Sequence, residues 1–250
     1  MSPPDSPRSD LPVLPRGLIF LASLWLVGSW LVAIGVNPPV QPSSASYTPG
    51  VRLLLDCILV GVIVAWPMMR FSQPRCPWPM QRGALDALVL LGLLHIVLWP
   101  MRLVTPWSVE RTLAIDVVLA GWTALVGAMV ALGGGLDRPG RTLAMSAVLL
   151  LALLGPAVAT IAKPLGASAD SGALLSLLSP FTALRTLSGG GPAALTIGEW
   201  MAAASGPLLA SLVWLGAGLF ALGRRHRLSR PPDDSAGLPP QEPLCSPRHV

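Results

Sequence analysis

The sequence predicts an all-α polytopic membrane protein with six transmembrane helices and a re-entrant or interfacial helical segment between the fifth and the sixth. Three observations carry this. Hydrophobic residues make up 52% of the 250, charged residues only 12%, and the mean hydropathy is +0.64. Several apolar runs exceed ~18 residues, the length that reads as a membrane span. The stretches between those runs could not build a soluble core. The net charge of +5 therefore says nothing about nucleic acid, and no nucleic-acid partner is expected. The basic residues are arginines apart from Lys163, and their placement reports topology instead.

Taken in order, residues 1–16 form a Pro/Ser-rich arm with Arg8 and Arg16, expected to be disordered. Residues 17–223 make the transmembrane domain. Its first span, Gly17 to Val36, carries no charge. A cleaved signal peptide is the rival reading, because Ser43-Ser-Ala45 resembles a small-x-small site, but the apolar core is longer than the ~7–15 residues of a signal. Asn37 to Gly50, with four prolines, reads as a loop. The second span, Val51 to Met69, holds Arg52 and Asp56 as an i,i+4 pair. Arg70 to Arg82 is a basic loop stiffened by Pro74, Pro77 and Pro79, with Trp78 as an apolar knob. The third span, Ala84 to Val104, contains Asp86 and His95, and the fourth, Thr112 to Leu132, contains Asp116. A Gly/Pro turn at 133–141 leads to the fifth, Thr142 to Ala162, where Pro156 predicts a kink. Glu199 to Gly223 is the sixth, followed by a basic, Pro-rich tail over 224–250 that is expected to be disordered.

With six spans, twelve of the seventeen basic residues share one side: Arg8, Arg16, the 70–82 loop, the 137–141 turn and the tail. Arg52, Arg102, Arg111, Lys163 and Arg185 lie on the other. The positive-inside rule then places both termini in the cytoplasm of a cell with the chain in its inner membrane.

The stretch 169–191 neither spans nor resembles a soluble loop. Leu174, Leu177, Leu178, Phe181 and Leu184 fall on one helical face, and Ser176, Ser179, Thr182 and Thr186 on another. Asp170 or Ser171 can cap a first short helix, and Ser179 a second one starting at Pro180. Gly189-Gly-Gly191 stops it. From Gly172 to Leu187 a helix reaches only ~24 Å, short of a ~30 Å hydrocarbon core. The segment dips into one face of the bilayer or lies on it.

Chemistry-bearing patterns are sparse. Cys57, Cys76 and Cys245 have no second thiol or histidine at ligand spacing. His95 stands alone among the spans, so a haem would lack its second axial ligand, and a hydrogen bond to a neighbouring helix is the expected role. Asp56 and Asp116 read as interfacial ion pairs neutralised by Arg52, Arg102 or Arg111, or as part of a substrate or proton path. There is no hydrolase motif and no P-loop, so no enzymatic activity and no cofactor is expected, and any nucleotide hydrolysis would come from another chain. Small residues at Ala120, Ala124 and Ala128, and at Gly206, Ala210, Ala217 and Ala221, could allow close helix approach.

Six spans, cytoplasmic ends and an outer helix–break–helix before the last span resemble the permease subunits of ABC-2 type transporters. The local match is Ser179-Pro-Phe-Thr-Ala-Leu-Arg-Thr-Leu187. The family commonly carries Asn-Pro-Leu-Thr-aromatic there, followed within a few residues by Arg. Pro180, Thr182 and Arg185 match, while Ser179 replaces the Asn and Ala183 the aromatic. Residues 1–16 cannot form the amphipathic helix usual before the first span. The resemblance implies a homo- or heterodimer of permease chains and a separate cytoplasmic ATPase. That ATPase would bind the loop between spans two and three, here Arg70, Arg75, Trp78 and Arg82. A non-transporting membrane scaffold or assembly subunit is the alternative.

Overall fold

The computed structural model describes residues 15–36, 38, 43–74, 78–162 and 179–228. Every regular element among them is helical: α1 (Arg16–Gly35), α2 (Ser44–Phe71), α3 (Pro79–Met101), α4 (Val109–Gly134), α5 (Arg138–Ala162), α6 (Pro180–Gly189) and α7 (Ile197–Leu228). Single π-helical turns occupy Leu31–Gly35 of α1 and Gly61–Ala65 of α2. Five helices are long and apolar enough to cross a membrane, namely α1 to α4 and the Ile197–Leu219 part of α7, consistent with a multi-pass membrane protein. The other long helix, α5, has 25 residues.

Two helices start earlier than their apolar runs suggest, one from a polar capping box and the other from a proline at its first position. Residues 44–50 are helical, not loop. Ser43 and Ser46 form a reciprocal capping box, Ser43 Oγ accepting from Ser46 N at 3.2 Å and Ser46 Oγ from Ser43 N at 2.9 Å. Pro79 opens α3 at a position where its missing N–H costs nothing. Arg70 and Arg82 consequently belong to helices, and the connection between α2 and α3 shrinks to residues 72–78.

The hub is α4. Its sequence is apolar on all sides, the pattern of a helix buried on all sides. Seventy-two per cent of its apolar window is buried, and it packs against α2, α3, α5, α6 and most extensively α7. Glycine lets α4 and α7 cross closely: a Cβ on Gly121 would overlap the Pro207 ring, and one on Gly206 would meet Trp122 Cδ1 at 3.0 Å. Ala128, Ala210 and Ala217, from the small-residue series, are also buried. By contrast, α1 is only 11% buried. It is tied to α2 by Trp25 Nε1, which donates to Cys57 O at 3.0 Å, and an apolar cavity of about 210 Å³ separates it from α2 and α3.

Polar contacts define two ends of the bundle. At the first, the end of α2 (Arg70, Phe71) meets the start of α3 (Asp86), the end of α4 (Gly134) and the start of α5 (Arg141). At the second, the N-terminal part of α2 and the first turns of α4 and α7 meet the C-terminus of α6 through Arg52, Arg111 and Glu199. Helices α2 to α5 therefore run alternately up and down, which brings residues 70–74 and 78–82 to the same end as the 137–141 turn.

Candidate functional site

The second end is organised by Arg111, whose side chain is 1% exposed. Ser108 caps α4 by accepting from Arg111 N at 3.2 Å, which starts the helix so that this side chain enters the bundle. Its guanidinium donates to Leu187 O at 2.8 Å, to Ala193 O at 3.1 Å and to Glu199 Oε1 at 2.8 Å. Leu187 lies in the last turn of α6, where carbonyls lack intrahelical partners and the helix dipole is negative, so a cation there is stabilising. Ser188 O accepts from two further groups, Trp107 Nε1 at 3.3 Å and Arg52 at 3.5 Å. Gly190 must be glycine for this geometry, because a Cβ would lie inside the Arg111 guanidinium. Gly191 follows in the left-handed region at φ 59°.

Glu199 serves two helices. One carboxylate oxygen pairs with Arg111, while the other accepts from Thr196 N at 2.8 Å and Thr196 Oγ1 at 3.0 Å. Thr196 Oγ1 in turn accepts from Glu199 N at 3.2 Å, completing a capping box at the start of α7. The Thr-x-x-Glu pattern before an apolar run was readable in the sequence; that its acid also holds Arg111 was not.

The N-terminus of α6 is fixed differently. Ser179 occupies the cap position, yet its hydroxyl does not cap α6, which corrects the expectation. It donates instead to Ala152 O of α5 at 2.9 Å. Four residues beyond Ala152 stands Pro156, which has no N–H to give that carbonyl, so the α6 serine supplies the missing donor. Pro180, Ala183, Leu184 and Leu187 are buried, and Phe181 packs against the core. Along the polar stripe Ser179 is fully buried, whereas Thr186 is exposed. Thr182 and Thr186 hydroxyls bond within α6, to Ser179 O at 2.9 Å and Thr182 O at 3.0 Å. Arg185 is exposed and lies 3.5 Å from Asp56. Leu174, Ser176, Leu177, Leu178 and the first short helix lie outside the described residues.

The expected Arg52–Asp56 pair is replaced by contacts to α6. Both residues face it; the negative α6 C-terminus draws Arg52, and Arg185 takes Asp56. Asp116 is likewise not neutralised by Arg102 or Arg111. Its partner is His95 of α3, with Nε2 3.0 Å from Oδ2. His95 Nδ1 donates to Leu91 O of its own helix at 2.7 Å, while Nε2 makes the expected bond to a neighbouring helix through Asp116 of α4; the side chain is 48% exposed rather than buried.

At the first end, the coupling-loop residues separate. Arg70 ends α2 and is withdrawn from the surface: it pairs with buried Asp86 and donates to Gln73 Oε1 at 2.8 Å. Trp78 precedes α3 and is 58% exposed. Arg82, in the first turn of α3, is exposed and has a partner within the chain. Arg75 and Cys76 lie outside the described residues. Arg141 shapes this end, donating to Phe71 O at 3.0 Å and Gln73 O at 2.9 Å and so pinning the turn after α2 onto α5.

The two ends thus hold ionic clasps, and among the described residues no group of three His, Cys, Asp or Glu side chains could hold a metal. Comparisons with protein-family models, with curated proteins and with solved structures give no match to this chain.

Proposed function

We propose that the chain is the permease subunit of an ABC-type transporter, a six-span inner-membrane protein that works with a separate cytoplasmic ATPase and pairs with a second permease chain. In this reading α5 is the remaining span and both termini are cytoplasmic, supported by the arginine asymmetry and by the alternation of α2 to α5. The observation that carries it is α6. Ten residues give ~15 Å of helix, half a hydrocarbon core. Its C-terminus sits among the N-terminal part of α2 and the first turns of α4 and α7, and its N-terminus reaches Ala152, midway along α5. Such a half-helix is the re-entrant element expected on the outer side of an ABC-2 type permease.

Coupling falls to the 72–78 connection at the opposite end, where Trp78 is the exposed aromatic anchor. Trp78→Ala should leave insertion and expression intact and release a co-purifying ATPase, a loss of roughly 2 kcal/mol or more for an interface hot spot. Retention of every cytoplasmic partner by that variant, or absence of any ATPase from the native preparation, sinks the permease reading. The scaffold alternative draws its support from α4, whose apolar packing around Trp122, Leu125 and Val126 is that of a rigid core.

A further inference from the structure

Between the end of α2 and the start of α5 lies an open groove of about 930 Å³, and its two walls differ in chemistry. Arg138, Thr142, Met145 and Ser146 fall at helical spacing on one face of α5; Met68, Phe71 and the 72–74 turn form the other wall. The shape is preformed, because the Arg141 guanidinium is bound to the carbonyls of Phe71 and Gln73 and holds that turn in place.

Donors outnumber acceptors along it. The Arg138 guanidinium is exposed and makes no ion pair or hydrogen bond among the described residues. Gln73 accepts from Arg70 through Oε1, which leaves its amide NH2 as a donor with no acceptor among the described residues. Ser146 contributes a hydroxyl, whereas those of Ser72 and Thr142 are spent on Met68 O and Arg138 O. Among the described residues no carboxylate lines the groove, and neighbouring Asp137 already has a partner. Beside these donors sit the apolar surfaces of Met68, Phe71 and Met145, Met68 being 57% exposed. An inorganic anion would use the cation and ignore the apolar wall. A molecule that uses both carries a phosphate beside a hydrocarbon chain.

We propose that this groove binds an anionic phospholipid, its phosphodiester on Arg138 and the Gln73 amide, its acyl chain along Met68 and Met145. A basic pocket between helices at the arginine-rich end of a bundle is where such headgroups collect. The site needs a bilayer around the bundle and stands independently of any ATPase.

The test uses the full chain in nanodiscs of equal phosphatidylcholine and phosphatidylglycerol, followed by native mass spectrometry after gentle release. The wild type retains phosphatidylglycerol in preference to phosphatidylcholine. Arg138→Gln lowers that occupancy about fivefold, the loss of one near-surface cation, and Arg138→Lys keeps most of it. Thermal stability of each variant in phosphatidylcholine alone, unchanged from wild type, shows that the fold survives. Equal retention of the two lipids by the wild type, or undiminished phosphatidylglycerol on Arg138→Gln, overturns the proposal. Displacement of the lipid by excess inorganic phosphate, with equal protection by that ion, overturns it in favour of a simple anion site.

Discussion

Arg111→Met keeps the aliphatic stem of the side chain and removes all three donors of the clasp. What remains is the Leu187 and Ala193 carbonyls without their cation and a Glu199 side chain only 12% exposed without its counter-charge. Breaking a buried pair from one side costs about 3–5 kcal/mol, because the surviving charge stays desolvated. For a chain of this size that corresponds to a fall of roughly 6–20 °C in midpoint. Glu199→Gln should cost less, about 1–3 kcal/mol, since the amide oxygen can still accept from Thr196 and Arg111 keeps two carbonyls. The double variant should fall short of the sum by at least ~1 kcal/mol, the signature of groups that act on each other. Thermal unfolding in a single detergent measures these differences. A local readout accompanies them: Ser188→Cys, 2% exposed in the intact clasp, should label slowly alone and rapidly beside Arg111→Met. If Arg111→Met unfolds no more readily than the exposed control Arg102→Ala, and Ser188→Cys stays protected, the clasp does not hold α6.

Further outcomes follow from other contacts. Ser179→Ala should destabilise by about 1–3 kcal/mol by orphaning the Ala152 carbonyl, and the effect should shrink in a Pro156→Ala background, where a backbone N–H returns; equal losses in both backgrounds refute the assignment. Gly190→Ala should cost about 1–3 kcal/mol through overlap with Arg111 and become nearly silent beside Arg111→Met, read by the same unfolding assay. In intact cells an impermeant thiol reagent should leave Cys245 unlabelled; labelling it would put the tail outside and end the six-span topology.

The positions of the long helices were legible because hydrocarbon burial needs runs of apolar residues, and each run here carries few charges. Helix starts were less so. Ser43 with Ser46, and Thr196 with Glu199, are short polar patterns that fix a boundary several residues outside the apolar run, and the first was hidden in a proline-rich stretch that reads as loop. Charge partners were the least legible. The i,i+4 rule joined Arg52 to Asp56 because it sees one helix at a time, whereas α6 offers each a better partner from a distant part of the chain. Arg111 and Glu199 are 88 residues apart, and nothing local marks them as a pair. The serine expected to cap α6 illustrates the same limit: the demand for its proton comes from a proline on another helix.

The separation of Arg111 from Glu199 also sets an order of events. The arginine leaves the ribosome 88 residues before the glutamate that neutralises it, roughly 4–18 s at ordinary rates of synthesis. During that interval α4 has a cation near its end and no acid to meet it. Arrival of the last long helix completes its own cap and closes the clasp together. A chain halted before residue 199 would carry every other helix of the bundle with this bolt still drawn, and its uncompensated arginine is the feature by which a quality-control machinery could tell it from the finished protein.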